Sequence, residues 1–289
     1  MTPDVAATVP ALSARRRNRF GLSVPVVIAA VIVLVIAVCT ILGPLIAPQD
    51  PGAQDLLLSA SPPTSSHLFG TDQLGRDVFS RIIVGARTAI IGPIIIALGS
   101  MIISNILGLL AGYWGGLTDS LIMRWVDLAY SMPGLLVTIV ISGTLGGGYT
   151  LAVITLMILF SPFDTRIVRG VVLEQRSLPY VESSRTLGLS HIRIMAREIW
   201  PNILPFVVAN TFLEFAYAIV ALSGLSFLGF GVSPGAADWG RMLSDNEGLL
   251  YTNAASALAP GAMIVITAAA MNILGDWLFE RVSDRGRVR

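Results

Sequence analysis

Long uncharged apolar runs alternate along the chain with shorter segments that carry the charge. No charged residue lies between Leu22 and Ala47, a run longer than the roughly 20 residues an α-helix needs to cross a bilayer. It predicts a first membrane span over residues 22–47, closed by Pro48. Further spans are predicted over about Thr88–Tyr113, Leu121–Leu145, from Tyr149 onward, Ile203–Leu225 and Ala255–Phe279. The fourth meets Asp164 too soon to have left the bilayer, so its helix must run on through Arg166 and Arg169. Six spans make this an all-α, multi-pass membrane protein, with a core over residues 88–280.

The connecting segments divide the rest. Residues 1–21 form a polar tail with Arg15, Arg16, Arg17 and Arg19, and residues 281–289 a second charged tail. Residues 48–87 are a loop rich in Pro, Ser, Gly and Asp. At its end, Val78 to Ala89 fits an amphipathic helix lying at the interface before the second span. That span carries a run of small residues from Gly92 through Gly108 to Gly112, which permits close helix packing. Pro133 predicts a kink in the third span, and Gly146–Gly148 a tight turn.

Residues 177–201 are the longest polar stretch between two apolar ones. Val181, Leu187, Leu189, Ile192, Ile194, Met195 and Ile199 recur loosely at helical spacing. Gly188 interrupts the pattern, Ser190 is placed to cap a second helix, and Pro201 is expected to stop it. The prediction is helix, sharp turn, helix.

Composition supports the membrane assignment: 54% of residues are hydrophobic, 13% charged, and mean hydropathy is +0.76. All 19 basic residues are Arg, which says more about base composition than mechanism. The apolar run after the N-terminal arginines is too long for a secretory signal and has no evident cleavage site, so it reads as an uncleaved span. The single cysteine, Cys39, excludes an intrachain disulfide. With six spans, 15 arginines fall on the side of both termini and four (Arg76, Arg81, Arg87, Arg241) on the other. The positive-inside rule makes the side with 15 cytoplasmic. It holds the 177–201 loop too.

Several motifs carry a resemblance. Glu182-Ser183-Ser184, then Gly188, then Ile199-Trp200-Pro201 resembles the E-A-A-x-x-x-G loop of permease subunits in bacterial ABC importers, with serines at the two alanine positions. Gly70-Thr71-Asp72-Gln73-Leu74-Gly75-Arg76-Asp77 is similar to the G-T-D-x-L-G-R-D segment of the C-type permease of oligopeptide and dipeptide importers. Ser131-Met132-Pro133, Leu225–Val232 and Asp238–Leu243 resemble the same family. The resemblance implies a type I importer permease fold in the bacterial cytoplasmic (inner) membrane. It implies a homologous B-type permease, ATP-binding subunits, an extracytoplasmic peptide-binding protein and a peptide substrate as partners. The 177–201 loop would dock on the ATPase, through Glu182, Ser183, Ser184, Arg185, Gly188, Arg193 and Arg197.

The chemistry the residues exclude agrees. There is no G-x-x-x-x-G-K-[ST] segment and no Lys at all, so ATP hydrolysis by that route belongs to a partner. His67 and His191 fall on opposite sides of the membrane, which leaves no zinc motif, and Ser142 has no His partner for a nucleophilic site. No catalytic residue, cofactor site, metal site or nucleic-acid patch is expected. Asp127, Asn210 and Glu214 are the candidates for a translocation path, because carboxyls are costly in hydrocarbon. The plainer reading pairs Asp127 with Arg124 and lets Glu214 hydrogen-bond across helices. A nickel or other small-solute importer, or a secondary transporter using Asp127 and Glu214, are the alternatives. No inverted repeat supports the latter. The Gly70–Asp77 segment is read as a structural turn ahead of a substrate contact.

Overall fold

The computed structural model describes residues 23–286. The arginine-bearing tail over 1–21 and residues 287–289 lie outside them. The elements are α1 (Val24–Ile46), α2 (Val78–Trp114), α3 (Gly116–Tyr130), α4 (Gly134–Thr144), α5 (Tyr149–Arg176), α6 (Pro179–Thr186), a single turn α7 (His191–Arg193), α8 (Trp200–Phe227), α9 (Trp239–Asp245) and α10 (Ala254–Gly286). Among the described residues, five helical stretches are long and apolar enough to cross a membrane, and α3 with α4, bent by 79°, passes the same test when the pair is taken as one span. Lipid-compatible surface is abundant: Leu34, Ile41, Leu45, Val140 and Val265 are all exposed.

α2 is the central post. At about 1.5 Å per residue its 37 residues span roughly 55 Å. It packs on α1, α5 and α8, and most extensively on α5. Small residues set that approach. A Cβ at Gly108 would lie 2.7 Å from Val168 Cβ, and one at Gly112 2.8 Å from Val172 Cβ, so only glycine lets the two backbones close. Helix α2 is unbroken from Val78, capped by the Asp77 carboxylate, which accepts from Ser80 N at 2.8 Å. The separate interfacial helix over Val78–Ala89 therefore does not exist; Val78, Ile82, Ala86 and Ala89 are buried in protein contacts.

The third span is broken rather than kinked. Pro133, preceded by Ser131 and Met132, starts a new helix at a sharp angle. The fifth starts earlier than Pro201 suggested. α7 continues through a wide π-helical turn, Ile194–Ile199, into α8. In that turn the backbone bonds shift, with Trp200 N–H reaching Met195 O. The missing N–H of Pro201 falls at this register change, so it does not stop the helix.

At one end of the bundle the 48–77 loop is knotted to the α8–α10 connection. Trp239, fully buried, donates its indole N–H to Ile82 O at 2.9 Å. Asn253 donates to the carbonyls of Ser61, Phe69 and Thr71 at 3.0–3.3 Å. Asp72 accepts from Leu74 N and Arg76 N and pairs with the Arg76 side chain at 2.7 Å. Arg76 and Arg81 in turn donate to Gly235 O. The Gly70–Asp77 segment is thus a turn that builds the fold, with its polar groups turned inward.

Candidate coupling surface and buried polar core

The opposite end of the bundle carries the 177–201 segment. α6 begins at Pro179, whose fixed φ suits the first turn. It ends at Gly188, where φ is +76°, with Gly188 N bonded to Arg185 O and Leu189 N to Ser184 O. A Cβ at Gly188 would meet nothing within 4 Å. Its backbone conformation alone calls for glycine. Ser190 then accepts from Arg193 N at 3.4 Å and starts α7. Helix, glycine turn and capped second helix are as the sequence predicts.

The inner face of this knob is apolar. Val181, Ile194, Ile199 and Ile203 pack with Val168 and Val172 of α5 and Tyr113 of α2. Ser184 is buried, and its hydroxyl donates to Tyr180 O; a larger side chain there would lift α6 off the bundle. Glu182, Ser183, Arg185, Gly188, Arg193 and Arg197 all face outward. Between them Leu187 is 80% exposed and Ile192 74% exposed, a pair of large apolar side chains on a charged rim. Tyr113, which sequence reasoning missed, ties the knob to α2. Its hydroxyl lies 2.8 Å from His191 Nδ1, and the Arg185 guanidinium stacks over its ring at 5.1 Å. Trp114 packs on His191 at 5.2 Å. A tyrosine ending a span is too ordinary a signal to have marked it.

Of the three path candidates, the structure joins two. Asn210 and Glu214 meet on α8, and Asn210 Nδ2 donates to Asp164 Oδ1 at 2.7 Å. Ser100 of α2 donates to Glu214 and lies 3.3 Å from Asp164 Oδ2. Glu214 thus hydrogen-bonds across helices. Asp127 stands apart. Its partner is Arg166 of α5, not Arg124, and both side chains of the pair are exposed. The i, i+3 pairing fails because Arg166, stacked on Tyr130, reaches across from α5. Asp164, through which the fourth span's helix runs on, is buried in the bundle. The signal was there: it closes the uncharged run from Tyr149, and two residues from Arg166 it faces a different side of the helix. A groove of about 360 Å³ between α8 and α10 borders this core, lined by Phe206, Asn210, Leu213, Asn272, Asp276 and Phe279.

Comparison with known proteins agrees with this architecture. Residues 16–63 match the N-terminal TM domain of oligopeptide transport permease C. The "Probable D,D-dipeptide transport system permease protein DdpC" of Escherichia coli (strain K12) is 35% identical over 251 residues, 86% of this chain and 84% of that protein. The dipeptide transport system permease protein DppC of Haemophilus influenzae is 34% identical, covering 87% of each. The oligopeptide transport system permease protein OppC of Bacillus subtilis is 33% identical, covering 93% of this chain and 88% of that one. Among solved structures, an inward-facing MetNI methionine ABC transporter chain superposes with a TM-score of 0.57 at 17% identity, over 70% of this chain and 95% of that chain. That likeness supports a type I importer permease fold. Residues 104–288 match the binding-protein-dependent transport system inner membrane component family, and with relatives of this identity and coverage the chain belongs to that family.

Proposed function

We propose that this chain is one of two permease subunits of an ATP-driven peptide importer in the bacterial cytoplasmic membrane, with both termini cytoplasmic. It forms half of the translocation path beside a homologous B-type permease. Two ATP-binding subunits supply the energy, and an extracytoplasmic binding protein delivers the peptide. The observation that carries the reading is the α6–α7 knob. Its inner face is fixed to α2, α5 and α8 by buried aliphatic packing, while Leu187 and Ile192 stand exposed. An apolar centre with a charged rim suits a protein partner. Glu182, Ser183, Arg185, Gly188, Arg193 and Arg197 form its contact surface, and Ser184 keeps α6 seated from beneath. Peptide as substrate rests on the dipeptide and oligopeptide permeases among the relatives.

ATP-driven closure of the ATPases would push this knob, and the knob's packing would pass the motion to the core spans as a rigid body. The groove face of α8, with Asn210, would line the path; Glu214 supports it from behind, and Asp127 sits on the outer face towards a neighbour. The test is transport in proteoliposomes holding this chain with the neighbouring permease, ATPases and binding protein. In the Gly188→Arg variant, binding-protein-stimulated ATP hydrolysis and peptide uptake should fall together while assembly is kept. Uptake that persists without ATP, or that the variant leaves untouched, would overturn the reading.

A further inference from the structure

The buried core between α2, α5 and α8 holds more hydrogen-bond acceptors than donors. Asp164 and Glu214 are 3% and 5% exposed, and the Ser100 hydroxyl lies within hydrogen-bonding reach of both carboxyls. Ser100 has one proton for the two of them, and Asn210 donates one N–H, to Asp164. The remaining donors point elsewhere. Ser104 and Asn105 donate to Met101 O, and Thr211 to Val207 O. Two buried acceptors are left without a partner, Glu214 Oε2 and Asn105 Oδ1. Both residues line one small cavity, and Asn105, like Glu214, is 5% exposed.

Among the described residues no cation answers the pair. Arg166 is engaged with Asp127 and Arg169 with Asp119, both towards α3. From α2 the facing groups are Ser100, Ser104 and Asn105, and none titrates. Tyr130 of α3, stacked under Arg166, is a further titratable group on the Asp164 side. Asp276 of α10 lies across the groove beyond Asn210. Two ionised carboxylates would therefore face each other in a low-dielectric bundle with a single hydroxyl between them, which is unfavourable on charge and on hydrogen bonding.

We propose that Asp164 and Glu214 form a proton-binding site, in which the two carboxyls share one proton. The bound proton turns one acceptor into the missing donor and halves the buried charge. It ties α5 to α8 directly, and Ser100 adds α2. A metal cation fits less well: Asn210 turns its N–H and not its oxygen to the site, and the cavity is about 10 Å³, room for one water. Asn210 borders both this cavity and the α8–α10 groove, so the groove is the route by which a proton from water arrives. The site is independent of the importer reading, because it needs neither ATP nor a partner to fill.

The experiment is infrared spectroscopy of the full chain in lipid nanodiscs near neutral pH. The wild type should show the C=O stretch of a protonated carboxylic acid, inaccessible to rapid deuterium exchange. In Glu214→Gln, which leaves Asp164 as a lone carboxylate beside an amide donor, the band should be lost while the helical amide band is kept. If that variant does not fold, wild-type protein labelled with carbon-13 at its glutamate carboxyls answers instead, and the band should move. Absence of the band in the wild type, its persistence unchanged in Glu214→Gln, or its indifference to the label would each overturn the proposal.

Discussion

The Tyr113 hydroxyl and His191 Nδ1, 2.8 Å apart, join the last turn of α2 to the first turn after the Gly188 corner. The link connects the central post of the bundle to the knob by one hydrogen bond, with Arg185 closing over the same ring. Tyr113→Phe keeps the ring and its stacking and removes only the bond, worth about 1 kcal/mol net. Stimulated ATP hydrolysis and uptake in proteoliposomes should fall about fivefold with the complex intact. His191→Phe, which keeps a ring against Trp114, should match it, and the double variant should be no worse than either. Additive losses would mean that the two residues act separately.

Two glycines with positive φ should behave differently. At Gly188 the cost of a side chain is conformational only, about 1–2 kcal/mol. Gly188→Asn should therefore retain more coupled activity than Gly188→Ala. At Gly75, φ is +73° and a Cβ would fall 1.7 Å from Asp55 O. Gly75→Ala and Gly75→Asn should both lower yield and melting temperature sharply. Equal behaviour of Asn and Ala at Gly188 would argue against the backbone explanation.

Asp72 and Asp127 are both ion-paired, yet their neutralisation should differ several-fold in effect. Asp72 is buried, and it is the carboxylate partner of two buried arginines, Arg76 at 2.7 Å and Arg81 at 3.6 Å. Asp72→Asn leaves those charges without it and should cost about 3–5 kcal/mol. The Asp127–Arg166 pair is 65% and 46% exposed, so Asp127→Asn should cost under about 1 kcal/mol. Thermal melting of the solubilised protein measures both.

Asp238 caps α9, accepting from Arg241 N at 3.1 Å. Burial holds its carboxyl above the ordinary carboxylate range, against the lowering effect of the hydrogen bonds it accepts. A raised value in the folded state means that its contribution to stability is fully present below the ordinary range, about pH 4. It is lost as pH rises through the raised value. Asp238→Asn keeps an acceptor for Arg241 N and removes the titration. Its melting temperature should depend less on pH across that window than that of the wild type. An unchanged pH profile would show that Asp238 does not titrate there.

Much of this molecule is written in the order of its residues. Long apolar runs, broken only by isolated charges such as Asp127 and Glu214, place the spans, because backbone polar groups in lipid must be satisfied within a helix. The Gly188 corner and its Ser190 cap are equally local: φ above zero and a short side-chain acceptor act within a few residues. Pro133 marks a break from sequence, though its angle does not follow from it. What the tertiary structure decided are relationships between distant residues. Val78–Ala89 has the periodicity of an interfacial helix, but α1, α9 and α10 cover it, and it simply begins α2. Asp127 has Arg124 at the right spacing, but an arginine 39 residues away takes it. Asp164 closes an uncharged run within the fourth helix, but only packing brings it Ser100 and Asn210 as partners. Periodicity reports which face of a helix is apolar. Which other helix covers that face, and which side chain it brings, depends on packing that no local pattern encodes.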